Sequence, residues 1–314
     1  MIQKQKKKRM LQILFTLFGV SLITFSLVHL SPGDAAEIML SDCGIIPDPH
    51  ILAQARTDLG LDQPLHMQYW QWLARFMRGD LGESYAFKMP VIEKLLQSFV
   101  PTLKLALVSL MMTLVMAIPF GVLSAIYQNS WIDFLLRGLS FFGLSVPSFW
   151  LGLIFLRFFG VHLGWVNVAG GTTAFPAVLL PAFTLAIAMT AKYLRQIRII
   201  VIEELQKDYV IGARMRGLSE EVILRKHILP NIVTPLLTLI GLSFGSLLGG
   251  TAVVEIIYNW PGLGSMAVTA ISSRDFPLIQ GYVMMIALFY LLINLFVDWS
   301  YTSLILEEKR LSHE

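Results

Sequence analysis

Six stretches of about 20 or more predominantly apolar residues leave this chain few ways to fold. They run near Leu11–Leu30, Leu103–Tyr127, Leu139–Leu163, Val178–Ile200, Ile232–Tyr258 and Leu278–Leu304. Each meets or exceeds the length a helix needs to cross a hydrocarbon core of about 30 Å. Inside that core every backbone polar group must be satisfied by the chain itself. The expected fold is therefore an all-α integral membrane protein with six transmembrane helices. Composition agrees: 14% of residues are charged, against about 25% in soluble domains. The net charge of +3 is too small to suggest a nucleic-acid partner. Cys43 is the only cysteine, so neither an intrachain disulfide nor a cysteine-based metal cluster is possible.

The connections set the expected orientation. Lys4, Lys6, Lys7, Lys8 and Arg9 precede the first span, which is longer than a signal-peptide core of about 7–15 residues. With the N-terminus inside, sixteen basic residues fall in cytoplasmic segments and six in outer ones. The positive-inside rule thus places both termini in the cytoplasm of a plasma or inner membrane. The expected division is a tail at 1–10, a first span at 11–30, and an extracytoplasmic segment at 31–100. A permease core at 101–304 and a tail at 305–314 follow. Residues 31–100 hold five prolines and the aromatic group Tyr69, Trp70 and Trp72. Helical spacing at Gln54–Leu59 and His66–Met77 predicts short helices against the membrane, with Trp70 and Trp72 suited to its interface.

One cytoplasmic stretch, residues 203–231, is dense in charge between two apolar runs. At mid-bilayer each charge costs about 2.5–3.5 kcal/mol, so this stretch belongs in water. Tyr209, Val210, Ala213 and Met215 fall on one side of a short helix, opposite Lys207, Asp208, Arg214 and Arg216. Gly217 is expected to close it, and Ser219 to cap a second helix with Glu220 and Glu221 in its first turn. Pro230 marks the expected end of that second helix.

No P-loop or HExxH motif occurs, and the six histidines show no metal-ligand spacing. No catalytic residue and no bound cofactor or metal is expected in this chain. Ionisable residues are sparse in the spans, with Arg157 alone well inside one and Glu255 near the outer end of another. An ion-coupled secondary transporter and a non-transporting membrane scaffold stay open on these residues alone. In the fifth span Ser243, Gly245, Ser246, Gly249, Gly250 and Thr251 form a small-residue face. Such a face permits close helix packing or lines a translocation path.

The stretch DYVIGARMRGLSEEVILRKHILPN resembles the coupling loop of binding-protein-dependent ABC transporter permeases, in the dipeptide/oligopeptide/nickel branch. Asp208, Tyr209, Val210, Ala213, Arg214, Gly217, Leu218, Ser219, His227, Leu229 and Asn231 stand at the motif positions. SPGDAAEIML at Ser31–Leu40, LGLDQPLHMQYWQWL at Leu59–Leu73, GDLGESY at Gly79–Tyr85, SVPSFWLGL at Ser145–Leu153, WPGLG at Trp260–Gly264 and RDFPLIQG at Arg274–Gly281 extend the likeness over nearly the whole chain. The tail departs from it, reading Leu304–Glu308 where members close with Asp-Pro-Arg. The resemblance implies a type I importer fold paired with a homologous permease in membrane lipid. It also implies two cytoplasmic ATPase subunits, which carry ATP and Mg, and an extracytoplasmic solute-binding protein. The solute it implies is nickel, free or chelated, or a di- or oligopeptide, with RDFPLIQ and PGDAAEIML closer to nickel-type members.

Overall fold

The computed structural model describes residues 2–30, 36–37, 40, 48–58, 60–165 and 175–311. Cys43 and most of the Ser31–Leu40 motif lie outside them, as do the side chains of the basic N-terminal run up to Lys8 and of the tail from 301. Regular structure among the described residues is helical, apart from one bridge pairing Glu83 with Pro90. In chain order the helices are α1 Ile2–Leu30, α2 Pro49–Asp58, α3 Leu65–Met77, α4 Val91–Ile126, α5 Trp131–Ser145, α6 Ser148–Phe155, α7 Phe175–Leu205, α8 Asp208–Met215, α9 Glu220–Ile223, α10 Leu229–Gly250, α11 Ala252–Ile257, α12 Leu263–Ser272 and α13 Phe276–Leu311. Five described helical stretches are long and apolar enough to cross a membrane, and the pair α5/α6 makes a sixth if taken as one broken span.

That pair corrects the expectation of a continuous helix over Leu139–Leu163. α5 and α6 meet at 94°. The cause is local: Pro147 disfavours helical backbone at Val146, which is extended at ψ 122°. α6 then widens into a π-helical turn over Leu156–His162, which carries Arg157 as an exposed residue within the second limb of the bent pair. The second expected span also starts sooner, at Val91, and keeps Pro101 and Pro119 inside its helix. The fifth is interrupted at Thr251, between α10 and α11.

The chain divides into two compact units. One comprises Met1–Val100 with Ser265–Leu291. Its first core is aromatic: Tyr69 of α3 is buried edge-on to Phe25 of α1, ring centroids 5.4 Å apart. The two residues' helices are also joined by Ser21 and the Tyr69 hydroxyl at 2.8 Å. Trp72 packs near Phe25, whereas Trp70 stays exposed. Asp275 caps α13 by accepting from the Leu278 N–H at 3.2 Å. Its other oxygen accepts from the Ser84 hydroxyl at 2.5 Å and the Ala86 N–H at 3.0 Å. The Gly79–Tyr85 and Arg274–Gly281 motifs are thus one structural joint. Gly281 belongs to it for want of space, since a Cβ there would lie 2.7 Å from Val91.

The other unit comprises Pro101–Gly264 with Leu292–Glu314. Its buried apolar core runs along α7 through Tyr193, Ile197 and Val201 to Val210, Ala213, Ile223, Ile228 and Ile232. Gly121 lets α4 approach α7, because a Cβ would sit 2.7 Å from Ile197. Asp133, fully buried on α5, takes a bidentate pair from Arg198 of α7, both bonds 2.8 Å. The Ser124 hydroxyl and the Asn129 N–H also donate to that carboxylate, at 2.6 and 3.0 Å.

Candidate functional site

α7 carries Glu203 and Glu204 to its end at Leu205, so only Gln206 and Lys207 separate it from α8. α8 begins with Asp208 in its first turn, where the dipole favours an acid. It ends in a Schellman closure. The Gly217 N–H donates to the Arg214 carbonyl at 2.9 Å and the Leu218 N–H to the Ala213 carbonyl at 3.3 Å. Gly217 sits at φ +78°, with open space where a Cβ would stand. Backbone strain rather than crowding therefore selects glycine.

Beyond the turn, Ser219 is the residue before α9, but its side chain makes no capping bond. The helix does not stop ahead of Pro230 as expected. α9 passes through a π-helical turn at Leu224–Ile228 directly into α10. A proline removes the bond to residue i−4 and crowds that carbonyl, and a wide turn just before it absorbs the mismatch. What looked like a second separate helix is the extended end of the next span.

The stretch has a buried underside and an open face. Val210 and Ala213 are fully buried against Ile223, Ile228, Ile232 and Leu236. Ile211 is 45% exposed, Leu218 37% and Met215 85%. Met215 therefore lies opposite the side its spacing suggested. Between these faces the polar groups interlock. The Tyr209 hydroxyl donates to Glu204 Oε1 at 2.5 Å and accepts from Asn231 Nδ2 at 2.9 Å. Lys207 Nζ holds the other Glu204 oxygen at 2.7 Å. His227 stands beside Tyr209, ring centroids 6.3 Å apart. Burial and the neighbouring Glu204 charge push the Tyr209 phenol up to about 12. Arg214 spans the glycine turn to Glu220 through two bonds, 2.7 and 3.1 Å. Both side chains are well exposed, so the pair contributes only about 0–1 kcal/mol. Glu204, the acceptor on which this arrangement rests, was missed because nothing in its spacing distinguishes it from Glu203.

The small-residue face of the fifth span is less uniform. Ser243 is buried and Gly249 has open space beside it, while the side chains of Ser246 and Gly250 lie outside the described residues. Thr251 is occupied: its hydroxyl donates to Glu255 Oε1 at 2.8 Å. The Thr102 hydroxyl donates to the same oxygen at 2.7 Å and accepts from the Leu263 N–H at 2.7 Å. All of Thr102, Thr251 and Glu255 are fully buried. The Trp260–Gly264 motif folds over them, with Trp260 Nε1 donating to the Pro101 carbonyl at 3.0 Å. A Cβ on Gly262 would stand 2.4 Å from the Glu255 carboxylate, and one on Gly264 2.5 Å from Ala252. The chemistry of these groups is hydrogen bonding that fixes backbone.

Comparison with known proteins is extensive. Residues 117–306 match the family described as "Binding-protein-dependent transport system inner membrane component", and residues 3–117 match its N-terminal counterpart. Glutathione transport system permease protein GsiC of Salmonella paratyphi A is 38% identical over 297 residues, covering 95% of this chain and 96% of the relative. The proteins of that name from Pectobacterium atrosepticum and Escherichia coli K12 are 39% and 37% identical, with the same coverage. Among solved structures, the MetNI methionine ABC transporter in inward-facing conformations aligns with a TM-score of 0.54 at 17% identity, covering 68% of this chain and 96% of that one.

Proposed function

This chain belongs to the family of binding-protein-dependent transport system inner membrane components, and from that premise we propose that it carries short peptides, with glutathione as the model solute. It is a multi-pass permease subunit of an ATP-binding cassette importer in the inner membrane. The observation that carries the solute is the similarity of relatives named for glutathione, 37–39% identical over 95% of the chain. Glutathione is itself a tripeptide, which favours the peptide side of the sequence expectation over nickel.

In this reading both termini and the Asp208–Met215 helix face the cytoplasm. Ile211, Met215 and Leu218 form the patch that seats on an ATPase subunit, and ATP and Mg are bound there rather than in this chain. The buried Val210 and Ala213 fasten that patch to α7 and α10, while Tyr209 ties the two helices through Glu204 and Asn231. A push on the patch thus moves both spans together. A homologous permease completes the pathway, and an extracytoplasmic binding protein delivers the solute. Ser243, Ser246, Gly249 and Gly250 remain the proposed pathway face, from which Thr251 is withdrawn by its bond to Glu255.

Uptake of labelled glutathione and of radioactive nickel, in cells with and without the gene, tests the solute. Loss of glutathione uptake on deletion is expected. Loss of nickel uptake with glutathione uptake intact contradicts it.

A further inference from the structure

The unit formed by residues 1–100 and 265–291 holds a half-open cavity of about 480 Å³ that the proposed coupling does not use. Gln280 of α13 lines it. This residue is 7% exposed. A carboxamide on a cavity wall offers two N–H donors and a carbonyl acceptor to a ligand's own polar groups. It also sits in the Arg274–Gly281 motif, whose other polar anchor, Asp275, is already committed to Ser84 and to the cap of α13.

The remaining walls define the ligand. Arg75 and Lys88 supply two cations, Asp80 and Glu83 two anions, and Trp72 an aromatic surface. His29 lies on the same wall, held by Gln68 and by the Phe25 carbonyl. Balanced charge of both signs disfavours a lone metal cation or a simple anion, each of which meets repulsion as well as attraction. A molecule carrying a carboxylate, an ammonium and an amide meets complementary groups of both signs on these walls, and the volume falls in the range of small-molecule sites.

We propose that this cavity binds a short zwitterionic peptide, its carboxylate toward Arg75 and Lys88, its ammonium toward Asp80 and Glu83, and an amide on Gln280. The proposal rests on the peptide-import reading for the class of solute, and it adds a binding site in the permease itself.

The test is calorimetric titration of the assembled importer in lipid nanodiscs, prepared without its binding protein. The probes are triglycine, triglycine blocked at both ends, and Ni²⁺. Triglycine is expected to bind, and the blocked form at least about tenfold more weakly. Gln280→Leu and, separately, the exposed Arg75→Ala are expected to lower triglycine affinity about tenfold, with thermal unfolding unchanged. No binding to the wild type overturns the proposal, as does equal binding of both triglycine forms. Unchanged affinity in both variants, or Ni²⁺ displacing triglycine, overturns it too. Cellular glutathione uptake judges the import reading separately: uptake without nanodisc binding removes the cavity site and leaves the import reading standing.

Discussion

Asn231 donates a 2.9 Å hydrogen bond to the hydroxyl of Tyr209, 22 residues earlier in the chain. That hydroxyl in turn donates a hydrogen bond to Glu204 at the end of α7. One phenol thereby joins the last turn of one span to the first turns of the next. Tyr209→Phe leaves both partners short of a bond and is expected to destabilise this region by about 1–2 kcal/mol. Limited proteolysis should show faster cleavage between α7 and α10, and transport should fall more than ATP hydrolysis does.

The phenol has a pH signature. Its folded value is raised to about 12 from the ordinary 10. The neutral form is thus favoured by folding, and its contribution is complete below pH 10 and lost as pH rises through 12. Absorbance titration near 295 nm, comparing wild type with Tyr209→Phe, should place the missing transition well above 10.

At Gly217 the prediction concerns strain. Since nothing crowds the position at φ +78°, Gly217→Ala should cost about 1–2 kcal/mol and reduce coupling without abolishing assembly. Gly217→Pro cannot adopt this φ and should abolish transport while the chain still inserts. Purification yield and uptake assays separate the two.

Docking and folding are separable on α8. Met215→Asp alters a side chain that is 85% exposed, so stability should change by less than about 0.5 kcal/mol while ATPase co-purification is lost. Ala213→Asp instead buries a charge in the core beneath and should unfold the loop itself. Circular dichroism melting alongside pull-down of the ATPases distinguishes these outcomes.

Asp133→Asn should be among the most damaging single changes outside the loop. It leaves Arg198, whose side chain is 14% exposed, without its counter-charge, an effect of about 3–5 kcal/mol. Asp133→Leu with Arg198→Met should recover much of that loss, measured by thermal unfolding in detergent.

Much of this architecture is legible in the residues because its signals are local. Apolar length marks the spans, and Gly217 with its flanking helix marks the turn between α8 and α9. The bend between α5 and α6 was misread because Val146-Pro147 sits within an unbroken apolar run, and hydropathy does not register backbone direction. Continuation through Pro230 depends on a π-helical turn that no residue pattern announces. The Thr102–Glu255 and Ser84–Asp275 joins link residues 153 and 191 positions apart, so spacing within either motif could not pair them. They do explain why those motifs hold glycines and a buried acid.

The most direct measurement of the central claim is solute accumulation in proteoliposomes containing this chain and its sister permease, with and without the ATPase subunits and ATP. Uphill accumulation should appear only when ATPases and ATP are both present, and Met215→Asp should erase it. Sustained accumulation in vesicles lacking any nucleotide hydrolase would contradict the account.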